Sequence, residues 1–329
     1  MNTPMRGLML ACVLLVSCKE NQPGGPAEVQ LATNLNAAVV DTALGQISRS
    51  GGPRAQRSPT GDVRWDDEPY EAIAAAAKGE LMPAPASAAD VPPLWKDPTG
   101  TWVAVGGRAV VLLVGTDNLG DHGAPVRFTA LSDGWLKGKV ALAAPTGGMA
   151  LAHFAALYRA WGPERMEIWL RQLKANEPQI YDNDDQVRHA VVSGRAIVGI
   201  VSSDEAAKAA ASAAHVVAIY PNQKSIGTFV WPTALSVAKS AKNPEAAKKL
   251  AERLADRNTE QLLVARLPGY LPLRAGIPVP PGVRSAANLV VISLDPAVIM
   301  AEIGGRKAAL AAWSASIPKA GPASAQATQ

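Results

Sequence analysis

An arginine, a glycine-lined turn and a few carboxylates carry the chemistry open to this sequence. The turn is Ala144-Pro145-Thr146-Gly147-Gly148, between an apolar run at 140–144 and a helix-forming run that reaches Trp161. Thr146 is a favourable N-cap residue, because its hydroxyl can accept a free backbone N–H of the first helical turn. Gly147 and Gly148 have no Cβ, so a ligand can come close to the backbone there. The first N–H groups of a helix lack internal partners and lie at the positive end of its dipole, which makes such a start a seat for anions. Arg108 stands in the apolar run 102–114, and its planar fork of donors suits a carboxylate, carbonate or phosphate. An arginine on an apolar strand needs a charged partner whether or not a ligand supplies it. Glu68 precedes Pro69 at a predicted helix start, where the dipole favours a carboxylate and where it can also ligate a hard cation through oxygen. Asn183 and Asp204 are candidates for further polar contacts.

Other chemistry finds little support. Asp182-Asn183-Asp184-Asp185 lacks the glycine and the distal glutamate of a calcium loop and reads as a loop plus helix cap. His122, His153, His189 and His215 show no metal-ligand spacing. There is no G-x-S-x-G and no plausible Ser/His/Asp set, so no enzyme is expected. The formal charge of +4 comes from scattered Lys and Arg rather than a basic run with aromatics, which argues against nucleic-acid binding.

The elements that must position these residues alternate strand and helix between 139 and 220, the pattern of a mostly parallel α/β sheet. Strands are expected at 28–32, 62–65, 102–114 (bent or broken), 179–181, 196–201, 216–220 and 229–238. Helices are expected at 34–47, 70–78, 163–174, 184–193, 204–214, 243–256 and 259–265, with a helix pair at 295–313. Residues 49–61 read as a breaker-rich loop, and Trp65, Trp95 and Trp102 as core. At 329 residues, 48% apolar and 18% charged, the chain is long enough for two domains with real cores.

The N-terminus is laid out as an export signal, with Arg6 ahead of the apolar run 7–16. That run ends in Leu15-Val16-Ser17-Cys18, which resembles the bacterial lipobox. Cleavage before Cys18 would discard Cys12, leave the folded part without cysteine, and anchor it to a membrane by acyl chains at Cys18. Residues 18–27 then read as a lipidated tether, and 314–329 as a disordered tail.

Taken in order, several stretches resemble the bacterial extracellular solute-binding proteins of ABC importers, specifically the ferric-ion-binding branch. They are the strand 62–65 running into Glu68-Pro69, the run 102–114 with Arg108, the Ala144–Gly148 turn, Gly194 through Asp204, Ile219-Tyr220-Pro221-Asn222-Gln223 followed by Gly227-Thr228-Phe229-Val230, and Tyr270-Leu271-Pro272-Leu273-Arg274. The resemblance implies a two-lobed type II periplasmic-binding-protein fold of mixed, mostly parallel sheets joined by crossing strands. Lobe 1 would take 28–110 plus 228–275, and lobe 2 would take 111–227 plus 276–313. It implies a small anion, or a metal such as ferric iron with its anion, held in the cleft by Arg108, Thr146, Gly147, Gly148, Asn183 and Asp204, with Glu68 on the metal. It further implies an ABC permease as partner, a monomer, and a place in the periplasm or at the cell surface. Two departures stand out. The family's tyrosine pair falls where this chain has Ser202-Ser203, and the N-terminal lobe looks trimmed by about one strand-helix unit. A degenerate homologue acting as a sensor or envelope interaction lipoprotein is the alternative these departures motivate.

Overall fold

The computed structural model describes residues 28–212 and 214–321. The export signal, Cys18 and the tether, and residues 322–329 of the expected tail, lie outside the described residues.

The chain begins with β1 (Val29–Ala32) and α1 (Ala37–Arg49), whose start is fixed by Asn36 accepting from the N–H groups of Ala38 and Val39. β2 (Ala55–Arg57) follows within the stretch expected to be loop, then β3 (Val63–Asp66) and α2 (Tyr70–Ala77). β2 is more exposed than its neighbours and has no apolar alternation, so its pairing with β1 defines it as a strand; Val29 sits opposite Ala55. β4 (Trp102–Val103) and β5 (Gly107–Gly115) are the two halves of the long apolar run. Next come β6 (Val140–Ala143), α3 (Gly148–Trp161), α4 (Pro163–Ala175), β7 (Gln179–Tyr181), α5 (Asp184–Val192), β8 (Val198–Ser202), α6 (Ser203–Ala211) and β9 (Val216–Ile219). The chain then runs through β10 (Val230–Pro232), β11 (Ala234–Val237), α7 (Pro244–Leu254), α8 (Arg257–Arg266) and α9 (Pro296–Ala315).

These strands form two sheets, one per lobe. The first has the order β2-β1-β3-β11-β4 and the second β10-β5-β8-β6-β7, with β9 also on β5. β1 runs parallel to β2 and β3, and β6 parallel to β7 and β8, as helical crossovers require. β11 in the first sheet and β5 in the second run against their neighbours, because each enters its sheet from the other lobe. The fully buried tryptophans Trp65, Trp102 and Trp231 fill the cores around this junction.

The chain leaves the first sheet at Ala104–Gly106 and returns at Thr233, a few residues from the expected boundaries at 110/111 and 227/228. Thr233 ties the two passes together: its hydroxyl accepts from the Val105 N–H at 3.0 Å and donates to the Val105 carbonyl at 2.8 Å. A third segment joins them where Gly107 and Leu271 exchange backbone hydrogen bonds at 3.1 and 2.8 Å. Gly107 is there because a Cβ would lie 2.9 Å from the Trp231 carbonyl oxygen. The Leu271 segment is clamped by a buried ion pair, Arg274 Nη1 to Glu260 Oε2 at 2.6 Å, and Glu260 Oε1 also accepts from the Leu273 N–H at 2.6 Å.

Two further expectations need correction. The helix pair at 295–313 is one helix, α9, which runs straight through Gly304-Gly305. Packing outweighs the low helix propensity of that pair: Ile299, Ile303 and Leu310 are buried, and the Trp313 indole donates to the Leu170 carbonyl. The disordered tail does not begin at 314. Ile317 is buried and the Ala320 N–H donates to the Ile180 carbonyl at 3.0 Å, which extends the second sheet beyond β7. Among the described residues no helix is long and apolar enough to cross a membrane.

Candidate functional site

A cleft of about 410 Å³ opens between the lobes. Its lining includes Glu68, Arg108, Thr146, Gly147, Asn183 and Asp204, so six residues singled out from the sequence share one hollow. Gly148 belongs to the same turn, and its carbonyl accepts from the Tyr70 hydroxyl at 2.8 Å. This is a contact between the start of α2 in one lobe and the start of α3 in the other.

The turn is built differently from the sequence expectation. α3 starts at Gly148, its N-cap is Gly147, and no side chain caps it. Thr146 is exposed, and its own N–H is turned back to the Ala144 carbonyl at 2.8 Å. Gly148 has φ +54°, a backbone conformation that glycine adopts without steric cost. The leading N–H groups of α3 are therefore left for something other than a cap.

Arg108 projects from β5 into this space with about 14% of its side chain exposed, and carboxylates surround it. Nη2 lies 2.7 Å from Asp67 Oδ2 and 3.7 Å from Glu68 Oε1, and Nη1 lies 3.5 Å from Asp204 Oδ1. The Tyr270 ring stands 5.8 Å from the guanidinium carbon, and its hydroxyl donates to Asp67. Asp67 and Glu68 arrive together on the short loop between β3 and α2, held by the Asn34 side chain accepting from the Asp67 N–H at 2.7 Å. Asp204 is in the first turn of α6, where the dipole favours it.

Asp184 adds a further carboxylate at the start of α5. It accepts from the Ser202 N–H at 2.8 Å, and burial pushes its pKa up to about 6 despite that bond. Burial likewise raises the pKa of Asp67, with Arg108 and Tyr270 opposing, and that of Glu68, with Arg108 and the nearby Met149 N–H opposing. Burial also works against the Arg108 charge, but Asp67 and the other acids prevail and its pKa is raised. Burial and the neighbouring Asp67 raise that of Tyr270. The sum is one guanidinium facing Asp67, Glu68, Asp184 and Asp204, with Lys208 Nζ 3.9 Å from Asp204 on its outer side.

Asn183 is exposed and caps α5 by accepting from the Gln186 N–H at 3.0 Å, the loop-and-cap role expected for 182–185. Ser202 and Ser203 stand where a tyrosine pair was looked for; the Ser202 N–H holds Asp184, and Ser203 has a structural task. The Ser203 hydroxyl accepts from the Ala109 N–H and donates to the Gly269 carbonyl, tying β5 to the Tyr270 loop. Sequence reasoning missed Asp67, Asp184 and Tyr270 as part of the site. Their signal was present in the acid runs 66–68 and 184–185, but only the fold turns those runs toward Arg108. Among the described residues no group of three or more His, Cys, Asp or Glu is arranged to hold a metal ion.

Comparison with known proteins agrees with this architecture. The chain is 29% identical over 209 residues to "Iron uptake protein A1" of a Synechocystis strain, a stretch that is 60% of this chain and 56% of that protein. It is 26% identical over 274 residues to the "Major ferric iron-binding protein" of Neisseria meningitidis serogroup B, covering 80% of this chain and 77% of that protein. The fold superposes with a TM-score of 0.75 and 19% identity on the Trichodesmium protein IdiA (FutA) solved with iron and citrate, over 89% of this chain and 100% of that one. Residues 73–293 match the family model described as bacterial extracellular solute-binding protein. With two sheets, crossing strands and a polar cleft between them, this chain belongs to the bacterial extracellular solute-binding protein family.

Proposed function

We propose that this chain is the capture component of an ABC uptake system, held at the membrane by lipid on Cys18, and that its cargo is a hard cation, ferric iron first. The observation that carries the reading is the charge of the cleft, where carboxylates from both lobes outnumber the single guanidinium. A free anion brought to Arg108 would meet Asp67, Glu68 and Asp204 at the same moment, so the capture of a bare anion suggested by Arg108 alone loses its basis. A cation satisfies the surplus charge, and hard metal ions prefer such oxygen ligands. Glu68 from lobe 1 with Asp184 and Asp204 from lobe 2 would be its partners, so binding would draw the lobes together. The names of the relatives point to the same cargo.

One observation favours a second reading, an organic cation with ammonium groups: the carboxylates are spread along the cleft rather than converging on one point. Thermal shift on the full chain separates the two. Ferric iron supplied as its nitrilotriacetate chelate, and separately a polyamine, are titrated against the ligand-free protein, since a ligand of the folded state raises Tm. A saturable rise with iron that is lost in Asp204→Asn supports the first reading, and a rise with the polyamine alone supports the second. No rise with either returns the chain to the alternative of a homologue that has given up uptake.

A further inference from the structure

The two parts of the cleft suited to an anion are the Arg108 guanidinium and the start of α3. Both are occupied from within the chain. Asp67 Oδ2 sits 2.7 Å from Arg108 Nη2. The Glu68 carboxylate lies at the start of α3, where the Met149 N–H acts to lower its pKa, and its Oε1 is 3.7 Å from the same Nη2. A Cβ built on Gly148 would lie 3.8 Å from Glu68 Oε1, so the carboxylate rests directly over the turn. We infer that Asp67 and Glu68 are a built-in counter-anion, which fills the anion seat of the cleft and makes capture independent of any anion from solution.

Three features hold the pair in that seat. The Asp67 N–H is bonded to the Asn34 side chain, the Tyr270 hydroxyl donates to Asp67, and the Tyr70 hydroxyl bonds the Gly148 carbonyl across the lobes. The loop that carries both acids is thus pinned on each side of the gap. The one guanidinium nitrogen without a partner, Nε, has no exposed surface and cannot be reached by an entering anion. A soluble phosphate or carbonate would have to displace two tethered carboxylates and then face Asp184 and Asp204. The tethered pair needs no such displacement, and its loss of freedom is covered by folding rather than by binding. Adjacent acids on one loop can thus fill two separated halves of a grip, one reaching the strand arginine and the other the helix start.

This deepens the cation reading above, but its first test uses no cation. The full chain and its Glu68→Ala variant are titrated with phosphate and with acetate up to about 10 mM at constant chloride-balanced ionic strength, and Tm is followed. The unaltered protein should show no anion-dependent rise, and Glu68→Ala should show a saturable one, because the α3 start is then open. Asp67→Ala, which opens the Arg108 half instead, is the second variant and should behave the same way. A rise of equal size in the unaltered protein, or no rise in either variant, overturns the inference. A second arm measures ferric affinity with and without acetate. It should be unchanged by acetate in the unaltered chain, weakened at least about tenfold in Glu68→Ala, and largely restored there by acetate. Failure of iron to bind at all, with the anion arm as expected, removes the cargo and leaves the counter-anion in place.

Discussion

Burial makes the Asp184 carboxylate costly to charge, and Asp184→Asn should remove that cost. Its carboxylate sits at the start of α5 under the Ser202 N–H, and burial raises its pKa from 3.8 to about 6. A carboxyl whose pKa is higher in the folded than in the unfolded chain favours folding only while it is protonated. That stability is fully present below about pH 3.8 and is lost as the pH rises through 6. A gap of roughly two pH units at about 1.4 kcal/mol each makes the charged form cost about 3 kcal/mol at pH 8. Asparagine keeps the shape and an oxygen for the Ser202 N–H, but carries no charge. It also forgoes the attraction between a carboxylate and the α5 dipole, worth about 0.3–1 kcal/mol. The ligand-free variant should therefore be more stable than the unaltered protein by about 2 kcal/mol at pH 8, with the advantage closing as the pH falls to 4. Urea unfolding followed by tryptophan fluorescence at several pH values measures this. A variant less stable at pH 8, or a gain that does not vary with pH, would refute the account of Asp184 as a carboxylate charged at a cost. The same change should weaken cation capture, since the cost is what a bound cation would relieve.

Other outcomes follow from groups away from the cleft. Arg274→Ala leaves Glu260 buried without its partner and frees the Leu271 segment; it should cost about 3–5 kcal/mol in urea unfolding, and a loss under 1 kcal/mol would mean the clamp is dispensable. His153 is fully buried among Phe128, Phe154 and Phe229 with neither ring nitrogen bonded, and burial lowers its pKa to about 3. Because its folded pKa lies below the ordinary 6.5, its contribution is present above that pH and is lost as the pH falls towards 3, which amounts to about 2 kcal/mol by pH 5. His153→Leu should remove that dependence and be no less stable at pH 7; a destabilised variant would show that the ring nitrogens are satisfied after all.

Most of the fold was legible because its signals are local. Apolar runs such as 140–143 and 198–202 are buried on both faces, and Asn183 and Asn243 mark helix starts through their own side chains. What the sequence hid was held by non-local contacts. β2 is a strand because β1 lies beside it, α9 crosses two glycines because it packs on lobe 2, and residues 316–320 are ordered by β7. The site was half legible for the same reason. Arg108, the turn at 146–148, Glu68 and Asp204 announce themselves by type, whereas Asp67, Asp184 and Tyr270 reach the site only through the fold, and no spacing rule connects them.

That asymmetry decides the sign of the site. An arginine beside a helix start, taken alone, is a grip for negative charge, and a chain of net charge +4 gives no reason to think otherwise. The polarity of a cleft, however, is the sum over whatever the fold brings within a few ångströms, where an interaction between unit charges is worth about 4 kcal/mol at an effective dielectric near 20. Three acids within 4 Å of one guanidinium outweigh its charge whatever the rest of the surface carries. Two serines stand where tyrosine ligands were sought: the Ser203 hydroxyl ties β5 to the Tyr270 loop, and the Ser202 N–H holds the Asp184 carboxylate. Any cation held here must therefore be held by carboxylates; burial raises the pKa of Asp184 to about 6, so under the proposed cation reading capture should weaken as the pH falls through 6 and Asp184 takes up its proton.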